Sequence, residues 1–253
     1  MNSLDRFRLD GKVVVLTGAS AGLGAGFARA LGQAGAWLVL AARRAAELIE
    51  AVEALTTDGI SATHAVADVA SPNDCLRVAE VAVAKFGQID VLVNNAGVAS
   101  SAPALSESVE RFNQVLTVNV TGSFLMAQAC APHMPRGASI VNVGSVLGHI
   151  GPRFPHAAYA ASKAAIHGLT RDLAQEWTER KGIRVNTLCP GYFASEMTAS
   201  GQGSIESMLA AHSIMPRFGE QQELDSALIF LASSASSYMT GTSVTVDGGL
   251  SAI

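Results

Sequence analysis

The run YAASK at 159–163 sets a phenol and an ammonium four residues apart, with only small residues between them. On a helix that spacing places Tyr159 and Lys163 on one face. Such a pair can move a proton. A phenol of ordinary pKa, about 10, is a poor acid–base group at neutral pH unless its anion is stabilised, and a nearby ammonium stabilises it. Ser145 follows the apolar run ASIVNVG (138–144), where its hydroxyl can bond a substrate oxygen and stabilise developing charge. Plainer uses exist for each: a packed aromatic for Tyr159, a solvated chain for Lys163, a helix cap for Ser145.

These residues need a frame to hold them. Short runs rich in Val, Ile and Leu recur at 12–18, 36–42, 62–69, 89–95, 138–144, 183–190 and 242–248. Near-continuous apolar character of that kind fits strands buried on both faces, as in parallel sheets. Amphipathic stretches at 24–35, 45–59 and 72–87 lie between them, with Gly35, Gly59 and Gly87 where each helix would end. The alternation predicts an α/β chain: a single-domain Rossmann fold over 1–253, its doubly wound parallel sheet of about seven strands covered by helices on both faces. The region 191–222 breaks the rhythm, and a substrate lid is expected around 192–215.

The chain is 49% hydrophobic and 15% charged, with net charge −4. An extensive core is implied, and no basic footprint for nucleic acid. The opening MNSLDRFRLDGK lacks the apolar segment of a secretory signal, and no apolar run of the roughly 18 residues needed for a membrane span is apparent. Cys75, Cys130 and Cys189 have no CxxC spacing and read as thiols of a reducing compartment. A soluble cytoplasmic protein without membrane or nucleic-acid partners is expected. The six histidines show no metal-binding spacing, so no metal is expected in the chemistry.

The first strand runs into TGASAGLGAG (17–26). Gly18, Gly22 and Gly24, with Ser20 and Leu23 between, would allow a tight turn and close helix–strand packing, and aim a helix N-terminus at an anion. A dinucleotide pyrophosphate is the leading reading, and tight packing alone the other. At the end of the second strand, AARR (41–44) puts Ala42 where an NAD site commonly has a carboxylate, followed by Arg43 and Arg44. Guanidiniums attract a 2′-phosphate through bidentate charge-assisted bonds. NADP(H) is therefore favoured, with NAD(H) possible; either arginine could instead merely cap an element.

Taken in chain order, TGASAGLG, NNAG (94–97), Asn119, Ser145, YAASK and the PG at 190–191 resemble the classical short-chain dehydrogenase/reductase family. The resemblance implies that Tyr159 is the proton donor or acceptor. Lys163 would tune it and bind the nicotinamide ribose, and Asn119 would hold a water linking Lys163 to solvent. It further implies cofactor contacts from Asp68 and Val69 at the adenine, and from Asn95, Ala96 and Gly97 beside the adenosine ribose, with Asn94 structural. Pro190 and Gly191, the backbone of Phe193 and the hydroxyl of Ser195 would bind the nicotinamide. Two departures stand out: Ser195 where threonine is usual, and Ala21 where many NADP members are basic.

The substrate, a small carbonyl or secondary alcohol, would sit beyond the nicotinamide, touching Ser145, Leu147, His149, Tyr159 and Tyr192. Phe154, His156, Phe193, Met197, Met208 and the segment Val98–Ser101 are further candidates for its walls. Sugar or sugar-acid (gluconate-type) substrates, 3-oxoacyl thioesters and cyclic or aromatic ketones all fit. The family is commonly tetrameric, so a homotetramer or homodimer is expected, with part of the apolar surface at Ala164, Ala165, Ile166, Leu169, Leu173 and Trp177 facing another subunit. The rival from another class, a catalytically silent dinucleotide-binding sensor, would be expected to lack Ser145, Tyr159 or Lys163.

Overall fold

The computed structural model describes residues 2–252 apart from 152, 153 and 200, and at 196 and 197 the backbone alone. The apolar runs form β1 (Val13–Thr17), β2 (Trp37–Ala42), β3 (Ala62–Val66), β4 (Val91–Asn94), β5 (Ser139–Val143), β6 (Arg184–Pro190) and β7 (Ser243–Val246). They pair in parallel as one sheet of order β3-β2-β1-β4-β5-β6-β7. Successive residues of a strand point to opposite faces, and both faces are covered. Val13 and Val15 belong to one apolar core; Val14 and Leu16 belong to the other. That double burial is why the strands read as continuous apolar runs.

The helices are α1 (Gly22–Gln33), α2 (Ala45–Thr57), α3 (Pro72–Phe86), α4 (Val109–Leu116), α5 (Gly122–Cys130), α6 (Ala157–Lys181), α7 (Glu196–Ala199), α8 (Gln202–His212) and α9 (Gln221–Ala232). The third strand ends earlier than its sequence suggests, at Val66 rather than 69. The Asp68 N–H donates to Asp74 Oδ2 at 2.9 Å, and Ser71 caps α3, whose first residue is Pro72. Val109–His133 is long and apolar enough to cross a bilayer by length and composition, against expectation. Half of that apolar window is buried, and Val115, Met126, Ala127 and Cys130 are packed inside, which accounts for its composition. Of the apolar residues on α6, Ile166, Leu173 and Trp177 are buried within the chain itself, whereas Ala164 and Ala165 are exposed.

Strand order reverses between β1 and β4, so a crevice opens at their carboxyl ends, the place where such sheets bind ligands. Its walls are held by paired bonds. Thr17 Oγ1 accepts from the N–H groups of Asn95 (3.1 Å) and Ala96 (3.0 Å), while Asn95 Nδ2 donates to the carbonyls of Thr17 and Gly18. Below it, Asn94 Nδ2 donates to Asn142 Oδ1, Asn142 Nδ2 donates to Thr170 Oγ1, and Thr170 meets Thr187, each within 2.9 Å. The chain ties β4, β5, α6 and β6 in one register, and Asn94 serves it rather than the crevice. Replacing Asn142 by alanine removes a buried hydrogen bond on each side, leaving Asn94 Nδ2 only Ser123 O and Thr170 only Thr187. Asn142→Ala should lower stability by about 1–3 kcal/mol, read as a lower urea midpoint at unchanged slope.

Candidate active site

A cavity of about 590 Å³ follows the carboxyl ends of β1 to β6. Its lining includes every residue expected at the cofactor: Gly18, Ser20, Gly22, Leu23, Gly24, Arg43, Arg44, Asp68, Val69, Asn95, Ala96, Gly97, Tyr159, Lys163, Pro190, Gly191, Phe193 and Ser195. Arg43 lies just past β2 and Ser145 just past β5. Three strand spacings separate those strands, on the order of 14 Å at 4.8 Å each, so the cavity suits a ligand with two distant ends.

The turn before α1 is shaped for close approach. A Cβ on Gly24 would stand 2.1 Å from the Gly18 carbonyl oxygen, and one on Gly18 would stand 2.8 Å from Ala96 Cα. Gly18 and Gly22 also hold positive φ, 64° and 55°, which favours glycine. No side chain caps α1 at Ala21, and its first turn carries no acid. Its N–H groups are therefore available to an anion in the cavity. At the other end, Arg43 is exposed and makes no hydrogen bond or ion pair among the described residues. Arg44 precedes α2 at its N-cap, 3.7 Å from Glu47 and 3.4 Å from Ser20 Oγ.

Tyr159 and Lys163 occupy one face of α6, as their spacing requires. Lys163 is 5% exposed. Its Nζ donates to the Val143 carbonyl at 2.7 Å, the last residue of β5, and sits 5.6 Å from the centre of the Tyr159 ring. Ser145 Oγ accepts the Leu147 N–H at 3.1 Å and stands near the Tyr159 phenol, whose charged form it favours. Burial decides the electrostatics here, contrary to expectation. It pushes the Tyr159 phenol up to about 12, against a smaller lowering by Ser145, and it pushes Lys163 down to about 8. Desolvation of the anion is the largest influence on the phenol, with Ser145 lowering it and Tyr192 raising it.

Asn119 is 1% exposed and does not line the cavity. Its Oδ1 accepts the Val98 N–H at 2.8 Å, and its Nδ2 donates to Val98 O and Ser162 Oγ at 2.9 Å each. The side chain thus ties the strand-end segment after β4 to α6 through a π-helical turn, Thr117–Thr121. The histidines exchange places. His149 is exposed, stacked on His167 and absent from the lining. His156, at the N-cap of α6, lines the cavity; its Nδ1 lies 2.8 Å from Ser100 O and its ring edges toward Tyr159. The loop between β5 and α6 turns His149 away, and no local spacing signals that.

Leu147, Tyr192, Val98 and Ala99 line the substrate end, while Phe154 and Met208 pack behind it with Leu147, Ile205 and Leu209. The side chain of Met197 and residues 152–153 lie outside the described residues. Thr198 and Ile205 are lining residues that the sequence did not single out. Thr198 holds the turn into α7, accepting from the Ser195 N–H at 3.0 Å and donating to Phe193 O. Its signal was its place three residues after Ser195. Ile205 had none, being one apolar residue of a short helix. The elevated phenol has a direct check: the tyrosinate absorbance lost in Tyr159→Phe, measured in alkaline titration, should appear well above pH 10. A component lost near the exposed-tyrosine value would contradict the burial argument.

The comparisons with known proteins agree with this geometry. A family model described as enoyl-(acyl carrier protein) reductase matches residues 18–251. Galactitol 2-dehydrogenase (L-tagatose-forming) of Cereibacter sphaeroides is 41% identical over 249 residues, 96% of each chain. A gluconate 5-dehydrogenase from Burkholderia cenocepacia, solved in complex with NADP and tartrate, superposes with TM-score 0.94 at 36% identity across 100% of both chains. A short-chain type dehydrogenase/reductase from Mycobacterium marinum gives TM-score 0.94 at 33% identity, again across 100% of both. With sequence, fold and cavity in agreement along its whole length, the chain belongs to the classical short-chain dehydrogenase/reductase family and is an NAD(P)-dependent oxidoreductase acting on CH–OH groups.

Proposed function

We propose that the protein prefers NADP(H) and interconverts a small ketone with its secondary alcohol, with Tyr159 as the general acid–base. The observation that carries this reading is the convergence of Ser145, Tyr159 and Lys163 at one end of a cavity whose other end carries Arg43. The glycine turn and the uncapped start of α1 would hold the pyrophosphate, Arg43 the 2′-phosphate, Asp68 the adenine, and Lys163 and Pro190–Ser195 the nicotinamide riboside. When bound, the nicotinamide supplies or accepts the hydride at the substrate carbon.

The residues of the chain govern the proton. Ser145 Oγ orients the substrate oxygen beside the phenol. Tyr159, protonated at neutral pH, is ready to donate to that oxygen during reduction. Lys163, charged below pH about 8, then stabilises the tyrosinate that donation leaves. Asn119 positions Lys163's helix through Ser162 and Val98. The segment 192–215, contributing Tyr192, Phe193, Ser195, Thr198 and Ile205 to the lining, serves as the lid, and the exposed small-residue face at Ala164 and Ala165 is offered to another copy of the chain. Three cysteines, all free and buried, suit a reducing cytoplasm.

A polyol or sugar-acid substrate is supported by relatives such as galactitol 2-dehydrogenase and gluconate 5-dehydrogenase. A less polar ketone or 3-oxoacyl thioester is the second reading, favoured by the apolar Val98, Ala99, Val146, Leu147 and Ile205 in the lining. Nicotinamide absorbance across a panel of polyols, sugar acids, 3-oxoacyl thioesters and cyclic ketones separates the two.

Tyr159→Phe should lower turnover on any active substrate by roughly 10²–10⁴-fold while leaving dinucleotide binding in place; equal activity of both proteins removes the acid–base assignment. Arg43→Ala should weaken NADPH binding by about 10–100-fold and NADH little; equal small losses make Arg43 a bystander. Because the Lys163 proton is lost through about pH 8, the rate of carbonyl reduction should fall above that pH. A profile flat to pH 10 contradicts the role given to the ammonium.

A further inference from the structure

Behind the Ser145 end of the cavity, side chains from three elements converge: His149 from the turn after β5, His167 from α6 and Cys189 from β6. Their donor atoms all lie within 4.8 Å of one another, and none of the three lines the cavity. His167 is 8% exposed, and its Nε2 is buried without a hydrogen-bond partner among the described residues, a costly state for a polar atom. Its other nitrogen is engaged, Nδ1 lying 2.9 Å from Ser243 Oγ. A ring that donates from Nδ1 carries its lone pair on Nε2, which is how metal-binding histidines are held. Gly148 leaves room beside that atom: a Cβ there would stand 2.9 Å from Nε2. Cys189 is fully buried, whereas His149 is exposed and stacks on His167 at 4.1 Å between ring centres.

We propose that His149, His167 and Cys189 form a site for a zinc-type divalent cation, with water as fourth ligand, and that its occupancy slows the chemistry at Ser145 and Lys163. Two imidazoles and a thiolate suit a borderline-soft ion such as Zn²⁺, not Mg²⁺ or Ca²⁺, which take oxygen ligands. With bonds near 2.0–2.3 Å, the donors must close in slightly, and the exposed His149 is the one able to move. Binding converts the Cys189 thiol to thiolate, its proton passing to solvent. The route to the reacting groups is short. The sulfur lies against the residue before Ser145: a Cβ on Gly144 would stand 3.2 Å from Cys189 Sγ, and the Ser145 N–H and Ser243 hydroxyl nearby favour the thiolate, so an ion on that sulfur bears on Ser145. His167 lies one turn along α6 from Lys163, so the same ion opposes the ammonium's charge.

The site can be read without substrate, independently of the proposed function. Co²⁺ titrated into the full metal-free chain should give one equivalent of thiolate-to-cobalt absorption in the near ultraviolet, displaced by Zn²⁺ and not by Mg²⁺. The band should vanish in Cys189→Ser and need at least about tenfold more cobalt in His149→Ala. No band at stoichiometric cobalt, or a band that survives Cys189→Ser and so arises at Cys75 or Cys130, overturns the site. Should Cys189→Ser fail to fold, the exposed His149→Ala decides, and unchanged cobalt affinity is the adverse result. On a substrate found active, Zn²⁺ should inhibit without competing with NADPH, and His149→Ala should raise the inhibiting concentration at least about tenfold. Zinc bound with turnover unchanged overturns the coupling.

Discussion

An ammonium taken out of water must be received by oxygen, and here the last carbonyl of β5 receives it. Lys163 Nζ donates to Val143 O at 2.7 Å while the side chain is nearly inaccessible. That bond holds α6 against the carboxyl edge of the sheet and so places Tyr159 beside Ser145, which begins the next turn of the chain. Desolvation also sets the protonation of this pair: the phenol holds its proton more tightly than in water, and the ammonium less tightly. An acid and a removable positive charge thus stand next to each other on one face of α6.

The surroundings serve that arrangement. At the switch between β1 and β4, Thr17 and Asn95 exchange bonds that close the glycine turn against the central strands. Asn119 joins the segment after β4 to α6, and Asn142 joins β5 to α6 through Thr170. Each is a short polar side chain fully surrounded by protein, with two elements to hold in register. Because unmatched partners inside a protein are costly, these ties make the relative position of β5 and α6 hard to vary. His167 Nε2, like Asn94 Oδ1, is buried without a partner among the described residues, and it is the one of the two that stands beside a second imidazole and a thiol.

The sheet was legible because both of its faces are covered: residues one apart on β1 enter different cores, and the strands therefore read as unbroken apolar runs. The reach of β3 was overestimated because ADV is as apolar as a strand, while the bonds from Asp68 and Ala70 that draw it into a turn are invisible in local composition. The apolar stretch at 109–133 shows the converse, since its burial depends on α3 and α6 arriving from distant parts of the chain.

Among the site residues, periodicity and position sufficed wherever a residue's neighbours lie close in sequence or at a strand end. Tyr159 and Lys163 share a helix face, Ser145 lies just past β5, the glycines open α1, and AARR ends β2. The amino-acid order by itself therefore determined the strands, the acid–base pair and the signature of a dinucleotide turn. Tertiary structure alone decided that His156 and not His149 enters the cavity, that Asn119 is a brace, and that the phenol is made less acidic. Those outcomes depend on how loops return and on how much water is removed around a side chain, and both are sums over contacts from residues far apart in the chain.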